Sequence, residues 1–171
     1  WLMNLDSLGN PIWFTYLNLY PLTDPKGIYD TKVKANGEIF VIGWQSGGSD
    51  ADSYLSKLDV NGNLQFTIRY FVPGYQAAFK ISELSNGSLL MCGRSENSAM
   101  FFKVNPINGD SLQMHTNLTI PTADNSVLDV KYLEELSNHT YLTMVYDAGG
   151  IGYLCKLDTN FNLLSYQSTN R

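Results

Sequence analysis

Two landmarks recur along this chain and keep step with each other. The first is a short apolar run ending in an acid or amide and a turn. It reads Trp1-Leu-Met-Asn-Leu-Asp-Ser-Leu-Gly-Asn10 and then Tyr54-Leu-Ser-Lys-Leu-Asp-Val-Asn-Gly-Asn63. A third copy, with one residue inserted, spans Met100 to Asp110, and a fourth runs from Tyr153 to Asn162. The anchoring residue falls at Asp6, Asp59, Asn105 and Asp158, at spacings of 53, 46 and 53. The second landmark is a turn at Ala35-Asn-Gly37, Ser85-Asn-Gly87 and Ser137-Asn-His139, at spacings of 50 and 52. Self-similarity at such a period means that one supersecondary unit is built several times and stacked.

Each unit resolves into four short strands. Strand a is the apolar run before the anchoring residue, and Gly62 in its turn stands where a tight hairpin needs positive φ. Strand b follows, at Pro11 to Tyr20, Leu64 to Phe71, Ser111 to Ile120 and Leu163 to Ser168. Strand c lies at Ile28 to Lys34, Ala77 to Leu84 and Val127 to Leu136. The Asn-Gly turn returns the chain as strand d, at Glu38 to Gln45, Ser88 to Arg94 and Thr140 to Tyr146. Strand c alternates in places, as at Phe79 and Ile81, whereas Ile39 to Ile42 and Leu89 to Cys92 are continuously apolar. A continuous apolar run marks a strand buried on both faces. No window has a helical period, and with 13% aromatic and 16% charged residues the composition is that of a turn-rich β protein.

Four antiparallel strands with one buried, repeated about every fifty residues, are the pattern of a β-propeller blade. The chain is therefore expected to be all-β: a β-propeller segment of about three and a half four-stranded antiparallel blades. Residues 1–171 form a single partial domain, with repeats at approximately 1–47, 48–96, 97–148 and 149–171. Counted this way, three full a-b-c-d units are followed by a surplus a–b hairpin at the C-terminal end. Open ends of such a stack would expose apolar faces and unpaired edges. Three arrangements would cover them: a longer chain, an assembly, or two copies joining their halves into a ring of seven.

The stretch Leu-Asp-x-x-Gly-Asn-x-x-Trp at Leu5 to Trp13 resembles the blade motif of quinoprotein-like (PQQ-type) propellers. It is also similar to the repeats of large extracellular β-propeller proteins. The later copies carry Phe66, Met114 and Tyr166 near the Trp position, and the alanine that precedes the Asp in the quinoprotein motif is missing. The resemblance implies a propeller fold, and in its quinoprotein form it would imply an oxidoreductase with a redox cofactor.

A net charge of −5 and a pI near 4.8 argue against nucleic acid, because a phosphate-binding surface needs clustered cations and the eleven Lys and Arg are scattered. No run of eighteen apolar residues suits a transmembrane helix. The chain opens at Trp1 in what reads as mid-strand, with no signal peptide in view, so it is taken as a mature or partial piece of a longer product. Cys92 and Cys155 sit in apolar runs two repeats apart and read as small buried hydrophobes, not as a bridge.

Three N-glycosylation sequons are the candidate sites: Asn86-Gly-Ser88, Asn117-Leu-Thr119 and Asn138-His-Thr140. Two of them fall at the equivalent c–d turn in successive repeats, where N-linked glycans would project into solvent outside the cell. The loops at Asp59 to Asn63 and Asp158 to Asn162 begin like calcium loops. Neither has the bidentate Glu that calcium requires, so both read as turns. The acidic Ser49-Asp-Ala-Asp52 stretch reads as a solvated connection. His115 in a strand and His139 at a turn have no paired Ser, Cys or carboxylate motif. Tyr16, Tyr20, Tyr70 and Tyr75 would make either a sugar-stacking patch or, the favoured reading, packing between blades.

The functional expectation is a non-catalytic extracellular or cell-surface module that binds other protein subunits or further blades. No cofactor, metal, catalytic residue or nucleic-acid partner is expected. The alternatives are a carbohydrate-binding lectin-like propeller and a fragment of a quinoprotein-type oxidoreductase.

Overall fold

The computed structural model describes residues 1–17, 26–46, 51–71, 74–121, 123 and 127–169. Among them fourteen strands form in chain order. These are β1 (Leu2–Leu5), β2 (Pro11–Thr15), β3 (Lys26–Val33), β4 (Ile39–Ser46), β5 (Ala51–Leu58), β6 (Leu64–Tyr70) and β7 (Gln76–Glu83). There follow β8 (Leu89–Ser95), β9 (Ser98–Val104), β10 (Ser111–His115), β11 (Leu128–Glu135), β12 (Tyr141–Asp147), β13 (Gly152–Leu157) and β14 (Leu163–Ser168). Three four-stranded antiparallel sheets, β3-β4-β5-β6, β7-β8-β9-β10 and β11-β12-β13-β14, accompany one two-stranded hairpin, β1-β2. The architecture is all-β and propeller-like, as expected.

The phase of the units differs from the repeats read in the sequence. Each sheet is ordered c-d-a-b, so the boundaries near 47, 96 and 148 cut sheets in half. The surplus a–b hairpin is residues 2–15 at the start, and the hairpin at 152–168 completes the third sheet. The physical reason is the path of the chain. Strands d and a are antiparallel neighbours joined by hydrogen bonds, whereas the b–c connection leaves one sheet for the next.

Stacking creates the core. Strand β7 packs on β3, β4 and β5, and β11 packs on β7, β8 and β9, so these two c strands lie against the preceding sheet. Phe40, Ile42, Leu55, Met91, Met100 and Phe102 fill the first seam. Leu90, Cys92, Phe101, Val145, Tyr153 and Cys155 are among those that fill the second. Fully burying one such Leu, Phe or Met contributes roughly 1.5–3 kcal/mol, which makes the seams the main source of stability. Strands β4 and β8 are buried on both faces over most of their length, as their apolar runs require. Strand β12 alternates instead, burying Tyr141, Thr143 and Val145 while Leu142 and Met144 stay partly exposed. No described sheet covers its other face. Cys92 and Cys155 are free and buried, and burial raises both thiol pKa values, that of Cys155 to about 12.

Candidate functional site

Each a–b turn is locked by its own side chains before it meets the neighbouring sheet. Asp6 Oδ1 accepts from the backbone N–H of Leu8 and Asn10, both at 2.8 Å, while Asn10 Nδ2 donates to Asp6 Oδ2 at 3.0 Å. Asp59 with Asn63 and Asp158 with Asn162 repeat the pattern at 2.8–2.9 Å. The side-chain amide of the Asn holds each of these carboxyls below its ordinary pKa. The loops that begin like calcium sites therefore spend their carboxylate oxygens on the turn. Among the described residues no group of three or more His, Cys, Asp or Glu side chains is placed to hold a metal.

The same turns make the contact between sheets. Gly62 (φ 80°) lies on the ring of Trp13, where a Cβ would come within 2.6 Å, and Thr15 Oγ1 donates to Gly62 O at 2.6 Å. Gly109 (φ 76°) lies in the same way on Ile68 and Phe66, and Tyr70 Oη donates to its carbonyl at 2.7 Å. In the third sheet the position belongs to Phe161, a non-glycine residue at φ 66°. Its fully buried ring stacks on Phe101 at 5.1 Å and on Tyr141 at 5.4 Å, with Lys103 Nζ 4.9 Å above it. A left-handed non-glycine residue costs about 1–2 kcal/mol, which burying a phenyl ring offsets. His115 lies beside the same rings, and burial pushes its pKa down.

The c strands carry a second repeating feature. Each has a β-bulge opposite its d strand, with Tyr29, Phe79 and Lys131 as the extra residues. These three stack from sheet to sheet. Tyr29 meets Phe79 edge-on at 4.9 Å, and Lys131 Nζ sits 3.6 Å from the centroid of Phe79. Beside them Lys80 pairs with Asp30 at 2.9 Å, and Asp30 Oδ2 also accepts from Ile81 N at 3.0 Å. Arg94 faces Asp129 at 3.5 Å and stacks on Tyr75 at 4.6 Å. The charges in this column answer one another across the seams.

Sequence reasoning missed two polar clusters. Asp52 is no solvated loop residue: it lies on β5, fully buried, and pairs with Arg69 on β6. Asp50, in the same acidic stretch, lies outside the described residues. The only signal was the alternation of Asp52 with Tyr54, which does not foretell burial on both faces. The second cluster joins Ser85, Glu135 and His139 across a seam. Ser85 Oγ donates to Glu135 Oε1 at 3.1 Å, and His139 Nδ1 lies 3.1 Å from that oxygen and 3.4 Å from Ser85 Oγ. Serine and carboxylate both meet the same ring nitrogen, whereas a proton relay needs one on each. Burial raises the Glu135 pKa, but the hydrogen bonds from Ser85 and His139 outweigh it and the net shift is downward.

The sequon residues Asn86, Asn117 and Asn138 are all exposed. Asn86 and Asn138 sit at the equivalent c–d tips, and each Oδ1 accepts a 2.6 Å hydrogen bond from the hydroxyl of its own sequon, Ser88 or Thr140. Of the four tyrosines, Tyr70 is buried, Tyr75 lies under Arg94 and Tyr16 packs on Trp1 at 5.1 Å. Tyr20 lies outside the described residues.

An exposed apolar surface lies at the hairpin. Trp1, Met3, Leu5, Ile12, Phe14 and Tyr16 are 45–78% exposed on its outer side. Its inner side packs Leu2 and Trp13 on the first sheet, and Trp13 Nε1 donates to Val60 O at 3.1 Å. Between them lies a cleft of about 240 Å³ lined by Leu2, Asn4, Trp13, Thr31, Val33 and Ile39 among others.

The fold and these surfaces define an all-β protein of stacked four-stranded antiparallel sheets. No family model matches the chain, and no curated protein matches it by sequence. By structure it is similar to a protein of unknown function from Bacteroides caccae, with a TM-score of 0.62 and 14% identity over 94% of this chain and 50% of that one. It is also similar to a eukaryotic initiation factor, with a TM-score of 0.57 and 13% identity over 94% of this chain and 35% of that one. At such identities the likeness concerns the fold. The chain spans half the length of the first of these relatives and about a third of the second.

Proposed function

We propose that this chain is a non-catalytic, extracellular structural or interaction module, part of a larger glycosylated β-propeller protein or assembly. The single observation that carries the proposal is the contrast between seams and ends. Inside the stack both faces of a sheet are buried, while the hairpin at one end and β12 at the other leave apolar side chains exposed. Exposed apolar surface of that extent, on sheets otherwise built to be sandwiched, fits partner binding. Likeness of the Leu5 to Trp13 stretch to the repeats of large extracellular β-propeller proteins supports the same reading. Two sequons at equivalent exposed tips support placement outside the cell.

Light scattering on the purified chain tests the proposal. A mass above that of one chain at micromolar concentration is expected, and a well-behaved 19.2 kDa monomer would count against the module reading. Expression through a secretory pathway tests the glycans. Treatment with an N-glycosidase should lower the mass of the wild type, and Asn86→Gln with Asn138→Gln should remove most of that difference.

A further inference from the structure

We infer that Asn117 carries an N-linked glycan whose first N-acetylglucosamine seats in the cleft beside it and ties the second sheet to the third. This rests on the glycosylated-module reading above and gives one of its glycans a structural task. The cleft has a volume of about 120 Å³. One wall is His115, at the end of β10, with Asn117 and Thr119 of the segment that follows. The other wall is Phe161 and Asn162 in the a–b turn of the third sheet, with Leu163 at the start of β14. The cleft therefore opens across the second seam.

The sequon backbone is held before any sugar is attached. Leu118 and Ile120 are buried in the second seam, while the alternate residues Asn117 and Thr119 are exposed. The three sequons differ in how their own side chains are spent. At the c–d tips the amide oxygens of Asn86 and Asn138 accept from Ser88 and Thr140, whereas among the described residues no such bond joins Thr119 to Asn117. Glycans at the tips project into solvent, and a glycan at Asn117 starts at the rim of a cleft between two sheets.

The transfer joins Asn117 Nδ2 to C1 of the first N-acetylglucosamine. It breaks the bond from that carbon to the phosphate of a lipid-linked oligosaccharide diphosphate, and one amide proton leaves with the lipid diphosphate. The pyranose then has an aromatic face to pack on. His115 is half-buried and braced by Phe101 and Phe161, at centroid distances of 6.4 Å and 6.2 Å. The Phe161 ring is itself fully buried, so His115 is the ring a sugar can reach. Sugar C–H groups are weakly positive and suit the electron-rich face of such a ring. Across the cleft, Asn162 commits its Nδ2 to Asp158 and keeps its amide oxygen to accept from a sugar hydroxyl. Because the sugar is tethered at the rim, seating it is intramolecular and needs no free-ligand affinity.

The test uses the full chain secreted from a eukaryotic host and trimmed by an endoglycosidase that leaves one N-acetylglucosamine on each occupied Asn. Asn86→Gln with Asn138→Gln isolates the Asn117 site. The trimmed protein should melt about 2–4 °C above the same variant made without glycan in a bacterial cytosol. In His115→Ala the sugar should still be attached by intact mass, but the difference in melting point should fall below about 1 °C. Reading only that difference keeps the result independent of what His115→Ala does to the bare fold. No sugar on Asn117, equal melting with and without it, or an undiminished difference in His115→Ala each overturns the inference. Should glycans still be found on Asn86 and Asn138 of the wild type in those cases, the glycosylated-module reading survives and only this seat falls. A chain secreted with all three sequons bare removes both.

Discussion

Tyr54, Ser56 and Leu58 on β5 are fully buried, whereas their counterparts 53 residues earlier, Trp1, Met3 and Leu5, are 78%, 57% and 45% exposed. Both hairpins have the same turn, anchored by Asp59 and Asn63 or by Asp6 and Asn10. They differ in what surrounds them. Strand β5 lies between β4 and β6 with β1–β2 stacked on one face, while among the described residues β1 is paired with β2 alone and has one covered face. The hairpin is thus specified locally by its turn, and its burial is decided entirely by neighbours. A sheet of this kind is a surface on both sides until another sheet arrives.

The comparison can be broken by truncating matched aromatics. Phe101→Ala in the second seam should destabilise by about 3–5 kcal/mol in denaturant unfolding, since it empties a fully buried site stacked on Phe161. Phe14→Ala on the open face of the hairpin, at 68% exposure, should change stability by less than about 0.5 kcal/mol. Equal losses at the two positions would mean that the hairpin face is covered.

Next in size is the ion pair inside β5–β6. Arg69→Ala leaves the fully buried Asp52 carboxylate without its partner and should cost about 3 kcal/mol. A loss below about 1 kcal/mol would show that Asp52 reaches water.

Two glycines sharpen the difference between a turn and a seam. Gly87→Ala at φ 81° meets nothing within 4 Å and should cost about 1 kcal/mol through the backbone alone. Gly62→Ala at φ 80° also strikes Trp13, and should cost more by the amount the hairpin contributes to the first sheet. Identical thermal shifts for the two variants would mean that the hairpin does not seat on the turn.

The smallest effect is pH-dependent and common to both hairpins. Asp6 and Asp59 have pKa values below the ordinary carboxylate range because Asn10 and Asn63 donate to them. Their folded values lie below the unfolded ones, so this contribution is complete above about pH 4 and is lost as pH falls through the folded values. Asp59→Asn should remove part of the acid dependence of the urea midpoint, and Asp6→Asn should do the same. A midpoint as acid-sensitive in both variants as in the wild type would assign the dependence to other carboxylates.

Much of the site was legible only as types of residue. The sequons at Asn86 and Asn138 could be placed on equivalent tips because turn residues recur in the repeat. The burial of Asp52 could not be read, since nothing local distinguishes a strand edge covered by a neighbour from one in water. Ser85, Glu135 and His139 meet across about fifty residues and a change of sheet, which no spacing rule captures.

The sequence by itself determined the strands, their turns and their number per unit, because a two-residue period, an Asn-Gly tip and an Asp-to-Asn turn are all short-range signals. Only the tertiary structure decided where one sheet ends and the next begins. The repeat has no natural starting point, and pairing d with a while b crosses over is a choice made by hydrogen bonds between strands. That choice moved the surplus hairpin from the end of the chain to its beginning.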